Sequence, residues 1–445
     1  IPSLFNINTY RQQIADQIEQ RLGRQIVLGS LSLSLLPTVK ISARDVSISD
    51  DPKFAQGAFI KAQSAAFKVR FGSLLRGNPE VSSIELNSPE VTLIREKTGE
   101  WNWKTLKPLQ PAGQGLAIGS MGVAVHRGRL TLIDRRQPIA AESNSPIDLE
   151  VSGLNLNFDQ AAVTASPFRI TLGKQVVVEV AKLSLLNHGQ QRVQLEAELQ
   201  NAPLNELIDL AGSFGIHSGF TGTGVVRLKA TIDADLAKPD AATVIVVQGV
   251  LSEAQLQIPR LKQPLAVASA EISIKSDSLR LENLKAQLGS SHITGWTQLQ
   301  KLSQIVANFD LQLDQLNVNE LQQLVAENEV PSSKPGKPQT SLPSPFIADG
   351  KLTVGRVMLD KFEVTNLQSQ VNFKEQVIDL NVLNARFCGG QYQGQVRINQ
   401  TQSNSGIDLN GRFGGVNVNQ FLSAVSSSKS DVYGQASGTL NVHSR

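Results

Sequence analysis

The side chains of His126, His188, His217, His292 and His443 could ligate a metal or shuttle a proton, but their spacing argues against a helical zinc site. None has a second histidine three or four residues away, the interval that places two ligands on one helical face. Asp233 and Asp235 sit two apart, yet the glycine and glutamate of a calcium loop are missing. The lysines after Gly173, Gly336 and Gly350 are followed by Gln, Pro and Leu, not by the Ser or Thr that holds magnesium in a phosphate loop. Gly219, Gly222 and Gly224 have the wrong order for a dinucleotide fingerprint and precede a strand, so they read as a turn. No Gly-x-Ser-x-Gly elbow supplies a nucleophilic serine. Cys388 aligns with Gly289 in an internal repeat, which reads as a small turn residue. Glu196 and Glu198 alternate with Leu195 and Ala197 and read as solvent-facing strand positions. Trp101, Trp103 and Trp296 read as residues closing strand ends, with a membrane-interface or ligand-stacking role as the alternative. The chain is therefore expected to be no enzyme, with no catalytic residue, no metal site and no cofactor.

Composition narrows the partners. The 445 residues carry 42 basic and 39 acidic side chains, and a net charge of +3 creates no field that would gather a polyanion, so no nucleic acid is expected. One cysteine rules out an intrachain disulfide. An apolar share of 40% with 34 glycines is globular, while 5% aromatic residues is low for large compact cores and favours a repeat array. No run approaches the roughly 18 to 20 apolar residues of a membrane-spanning helix. The chain starts at Ile1 without an initiator methionine, and both ends read as cut points of a fragment, so the lack of an anchor in it is no evidence of solubility.

The elements that must present these side chains are legible from period. Ile7, Ile14, Ile18 and Leu22 fall on one face of an amphipathic helix expected over about 8–23, with Gly23 as its C-cap. After Gly23 the period changes to two. Leu31, Leu33 and Leu35 alternate with serines, followed by Val91 and Leu93, Leu130 and Leu132, and Leu154, Leu156 and Phe158. The same alternation gives Leu195 and Leu199, Val226, Leu228 and Ile232, then Ile272 and Ile274 with Leu279 and Leu281. It continues through Phe309, Leu311 and Leu313 to Ile378 and Leu380. Strict alternation means strands with one apolar and one polar face, and few runs are apolar on both faces, so the strands are expected to be antiparallel.

Internal repetition organises the chain. Leu284-Lys-Ala-Gln-Leu-Gly aligns with Leu383-Asn-Ala-Arg-Phe-Cys at an offset of 99, and Leu316-Asn-Val-Asn319 with Val416-Asn-Val-Asn419 at 100. Pro203-Leu-Asn205-Glu-Leu is an earlier, shorter copy. Asn205, Asn319 and Asn419 are each expected to N-cap a short helix, after which a glycine-marked strand returns. Residues 107–115 and 330–345 are rich in proline and read as loops or linkers. The expected organisation is an N-terminal region over 1–106, a loop over 107–115, β repeats over 116–329, a Pro/Ser-rich linker over 330–345 and a further repeat over 346–445. The fold class is mainly β: a long repetitive antiparallel curved sheet, groove-like or solenoid-like, with an N-terminal amphipathic helix and short helices between repeats.

The opening hundred residues resemble the AsmA family of envelope proteins. The resemblance rests on Asn8-Thr-Tyr10-Arg11, residues 14–23 followed by Arg24, Leu31-Ser-Leu-Ser-Leu-Leu-Pro37 and Arg44-Asp45-Val46-Ser-Ile. It continues through residues 74–79, Val81-Ser-Ser-Ile-Glu-Leu, Pro89-Glu-Val-Thr-Leu and Gly99-Glu-Trp101-Asn102-Trp103. The resemblance implies a periplasmic body anchored to the inner membrane by a segment before Ile1, a taco-shaped β-groove shared with bridge-like lipid transfer proteins, and phospholipid movement toward the outer membrane. The expected partners are a phospholipid or other diacyl lipid, the inner membrane, and envelope or outer-membrane proteins. The apolar strand residues named above are then the lipid-groove candidates. The competing expectation is a structural scaffold for outer-membrane protein assembly, which would seal its apolar faces against each other.

Overall fold

The computed structural model describes residues 8, 11–35, 38–69, 81–106, 121–135, 147–158, 162–186, 192–213, 220–235, 244–259, 261–275, 278–300, 306–324, 347–374, 376–399, 406–425 and 431–444. The expected loops at 107–115 and 330–345 lie outside them. The described chain is mainly β, with four α-helices: α1 (Arg11–Leu22), α2 (Leu204–Ser213), α3 (Val318–Leu324) and α4 (Val418–Val425). It divides into two compact units, one of Ile1–His217 with Lys229–Ile245, the other of Ser218–Leu228 with Val246–Arg445.

In the first unit α1 occupies the predicted segment, and Gly23 ends it in the left-handed conformation with its N–H bonded to the Glu19 carbonyl. Ala15 of this helix joins a core of Ile26, Leu28, Leu31, Ala43, Val46, Ala62 and Ala65. The side chains of Ile14 and Ile18 lie outside the described set. Below this core sits a polar cluster with no exposure to water at Asn102. Arg24 donates to Asp50 Oδ1 at 3.2 Å and to the Asn102 carbonyl at 3.1 Å, and it also bonds Thr105. Asn102 Oδ1 accepts the Ile94 N–H at 3.0 Å, and its Nδ2 donates to the Thr92 carbonyl at 2.9 Å. Both polar atoms of that amide are thus bonded, as burial demands.

Strand pairing among the described residues is mostly antiparallel, in keeping with the predominantly antiparallel expectation, and three parallel pairs make the sheet mixed. Val81–Asn87 runs parallel to Met121–His126, Glu90–Arg95 to Gly128–Asp134, and Val306–Asn317 to Ile347–Leu359. The third pair contains α3 in its crossover, as a parallel return requires a long connection. The matching repeat differs here: Gln435–Ser444 follows α4 but pairs antiparallel with Gly406–Asn417. The repeat therefore holds through the helix and diverges in the returning strand.

The helix caps also lie two residues earlier than expected. Asn317 Oδ1 accepts the N–H groups of Asn319 and Glu320, and Asn417 Oδ1 accepts that of Gln420. In each Asn-Val-Asn the first asparagine is still extended and can turn its side chain onto the opening helix, whereas the second already lies inside it. The first copy has Pro203 at that position, which offers no side-chain acceptor.

Each helix copy sits at a hairpin turn. Glu320 accepts the Ser290 N–H at 2.9 Å and also its hydroxyl, and Glu206 accepts the Gln175 N–H at 3.0 Å. Gly289 in that turn has φ +54°, and a Cβ there would lie 2.4 Å from a Glu320 carboxylate oxygen. Cys388 occupies the corresponding turn with φ 44°, and burial pushes its thiol pKa up. Trp296 departs from expectation: it lies in the middle of Ser291–Gln300 and does not close the strand.

Candidate functional site: apolar rows across the strands

Strand register decides whether alternating residues form a continuous surface. In the second unit one row runs Gly249, Ile272, Leu281, Thr297, Phe309, Gly350, Val371, Leu380, Val396, Leu409, Val442, each paired directly with the next. Beside it runs Val247, Ile274, Leu279, Leu299, Ala307, Ala348, Phe373, Ile378, Ile398, Ile407. At a strand spacing of about 4.8 Å the first row extends on the order of 50 Å. Leu311 and Leu313 start a third and a fourth row through Leu352 and Val354. Leu228 abuts Gly249, and Val226 is buried nearby in the sequence.

The first unit repeats the arrangement. Leu33, Ile41, Phe67, Ile84, Val123, Leu156, Ala165, Leu183 and Leu195 pair in succession. A second row links Ile26, Ile48, Ile60, Val91, Leu130, Leu149, Leu172 and Val176. Leu93 pairs with Leu132, Leu154 with Val125, and Leu199 with Val178. Ile232 is half-buried on Thr221–Asp235. Leu31 belongs instead to the core beneath α1, and Leu35 lies past the end of its strand, exposed. The side chain of Phe158 lies outside the described set.

These rows survive because the chain corrects its own phase. In Val39–Ser49 the apolar positions are 39, 41 and 43, then 46 and 48, so the inward parity changes within the strand. Asp45 has φ 49° at the change. Ser88 and Arg127 repeat the left-handed conformation at neighbouring places, since Arg44 pairs with Ser64, Ser64 with Asn87, and Asn87 with His126. Asn283, Asn366 and Gly415 do the same in the second unit, each at a shift of register, and Glu253 does so opposite Val267 and Ser269, where the next pairing shifts. Such bulge-like breaks exchange the two faces of a strand. Because the apolar residues switch parity at the same places, the apolar face stays on one side.

Among the described residues no second layer seals the rows of the second unit, whereas in the first unit Ile26, Ile48 and Phe67 pack into the core that holds Ala15 of α1. In the two rows of the second unit only the alanines are buried; Ile272, Leu281, Phe309, Leu380 and Val396 remain half-buried, and Ile407 is 49% exposed. A closed sandwich would hide both inner faces. Helices α3 and α4 lie against strand ends and turns. A cavity of about 590 Å³ is lined mainly by the polar-parity residues of the same strands, and it also touches Phe309, Gly350, Val371 and Leu380 of the first row.

Lys40, Lys68 and Glu85 form an ionic group at the opposite parity to the row through Ile41, Phe67 and Ile84. Glu85, between Lys40 at 2.8 Å and Lys68 at 2.5 Å, has its carboxyl held down to about 2 by hydrogen bonds from both ammonium groups. Asp233, one of the aspartates considered for calcium, is paired with Arg192 and Gln194. Among the described residues no three His, Cys, Asp or Glu side chains converge as metal ligands, and no helix is long and apolar enough to cross a membrane.

Comparison with known proteins returned no matching curated protein and no matching solved structure. The family model described as "AsmA family" matches residues 1–322, which is most of the chain and includes Arg24, Asp50 and Asn102 of the buried cluster; this protein belongs to the AsmA family.

Proposed function

We propose that this chain is the lipid-carrying body of an envelope protein, with acyl chains lying along the apolar rows and headgroups left in water. The observation that carries the proposal is the in-register alignment of predominantly apolar residues across successive strands of the second unit, without a covering layer among the described residues. Aliphatic side chains solvate acyl chains without directional demands, and each buried methylene contributes about 0.8 kcal/mol. A floor of uniform chemistry makes that gain similar at each strand, so lipid can move along the row without a large barrier. The same chemistry gives little selectivity among diacyl lipids. Membership of the AsmA family supports an envelope setting: a periplasmic body, inner-membrane anchoring, and delivery of phospholipid toward the outer membrane with envelope proteins as partners. An assembly scaffold would require these faces to be sealed, which the exposure along the rows argues against.

Native mass spectrometry of the purified protein tests the proposal. Co-purified phospholipid, or uptake of phospholipid by delipidated protein, is the expected result; protein that takes up none overturns it. Leu311→Asp with Leu228→Asp should reduce lipid transfer between vesicles, whereas Gln312→Asp, on the exposed opposite parity, should not.

A further inference from the structure

We infer that the polar side of the second unit carries a separate site for a neutral, hydroxyl-rich ligand, an oligosaccharide. The cavity of about 590 Å³ is bordered by Ser291–Gln300, Val306–Asn317, Ile347–Leu359, Phe362–Lys374, Val377–Phe387 and Gly390–Asn399; most of its lining has the polar parity, and Phe309, Gly350, Val371 and Leu380 between those positions complete it. That volume lies in the range of small-ligand sites. Its composition decides the ligand class. Five primary amides, Asn308, Gln370, Asn372, Asn381 and Gln395, line it, each pairing a donor with an acceptor in one plane. That geometry matches adjacent hydroxyls, which also donate and accept.

The charges argue against an ionic ligand. Asp310, Asp349 and Asp379 outnumber Lys351 and Arg397, and Arg397 is already spent in two bonds to Asp379 at 2.6 and 3.2 Å. A phosphate would meet a net negative wall, and an acyl chain would strand the amides without partners.

Trp296 supplies the remaining requirement, a flat apolar surface at the edge of a polar cleft. Its ring is fixed by the Arg280 guanidinium, 4.2 Å from the ring centroid, which is in turn bonded to Glu282 at 2.8 Å and Gln298 at 3.2 Å. An indole held in one orientation can stack on the C–H face of a sugar ring while the amides take its hydroxyls. The strands present successive amides in register, Gln370 beside Asn381 and Asn381 beside Gln395, so the site extends along a chain of sugars.

Isothermal titration with chitohexaose, cellohexaose and maltohexaose, and with inorganic phosphate as the ionic probe, tests the inference on the whole chain. At least one hexasaccharide should bind with a dissociation constant below about 1 mM, and phosphate should not. Trp296→Ala and the exposed change Gln370→Ala should each weaken binding about tenfold or more, while Leu311→Asp, on the apolar side, should leave it unchanged. Absence of binding by all three sugars overturns the inference, as does binding that both substitutions leave intact, or a preference for phosphate. Because the readout is sugar binding, it stands or falls independently of lipid uptake.

Discussion

Asn102 Nδ2 donates to Asp50 Oδ2 at 2.7 Å, joining two loops 52 residues apart in a site closed to water. Arg24 approaches the other oxygen of the same carboxylate, so one acidic group is shared between a guanidinium and an amide. Burial still pushes the Asp50 carboxyl above its ordinary range, with the Asn102 bond and the Arg24 charge acting against that rise. The arrangement explains why Arg24 and Asn102, distant in sequence, belong to one recognisable N-terminal pattern.

Asn102→Ala should therefore lower the stability of the first unit by about 3 kcal/mol, because it strands the Ile94 N–H and a carboxylate oxygen in a dry site. Urea unfolding read by circular dichroism checks the value. A loss below about 0.5 kcal/mol would mean that water enters and replaces the amide.

Glu85 and Asp50 should respond to acid in opposite senses. The Glu85 carboxyl is held at about 2, below its ordinary 4.5, so its contribution is complete above 4.5 and disappears as pH falls through 2. Asp50 is raised above 3.8, so its contribution declines as pH rises past 3.8 toward its folded value. Glu85→Gln should cost about 1 kcal/mol at neutral pH and nothing below pH 2, since solvent screens this partly exposed group. Unfolding midpoints of wild type and variant across that range should converge at the acid end.

Glu320→Ala should loosen the turn it holds. Loss of the bonds to the Ser290 N–H and hydroxyl is expected to cost about 1 to 2 kcal/mol and to raise amide hydrogen exchange at Ser290. Unchanged exchange there would show that the turn is set by Gly289 alone.

Gly350→Val should disturb the apolar row more than its size suggests. A Cβ at this position would lie 2.2 Å from the Phe309 carbonyl oxygen and 2.7 Å from its ring. The neighbouring parallel strand would have to move, at a cost of about 1 to 3 kcal/mol, measurable as a lower thermal midpoint.

Much of the fold is legible in the sequence because alternation is local. The runs Leu154-Asn-Leu156 and Phe309-Asp-Leu311 identify strands and their inward sides without reference to any partner. What alternation cannot reveal is phase across a break. Asp45, Ser88, Arg127, Glu253, Asn283 and Asn366 adopt the left-handed conformation that glycine normally announces, so no glycine marks those breaks. The parallel return after α3 was equally hidden, because the two repeat copies agree up to the helix and part only in the strand beyond it. Leu31 reads as one more alternating leucine, and only tertiary packing reveals that Ala15 lies over the same core. The polar cavity had no local signal either. Its residues come from six strands, and its polar ones look like ordinary solvent-facing positions until register brings them side by side.

The phase breaks have a consequence for how such a chain can change over generations. A residue gained or lost inside an uninterrupted strand would turn the rest of that strand inside out. Next to a left-handed position the same event can be absorbed where alternation already resets, leaving the apolar and polar sides as they were. Length drift should therefore concentrate at these joints and at the turns, where the chain can lengthen without rewriting its surface.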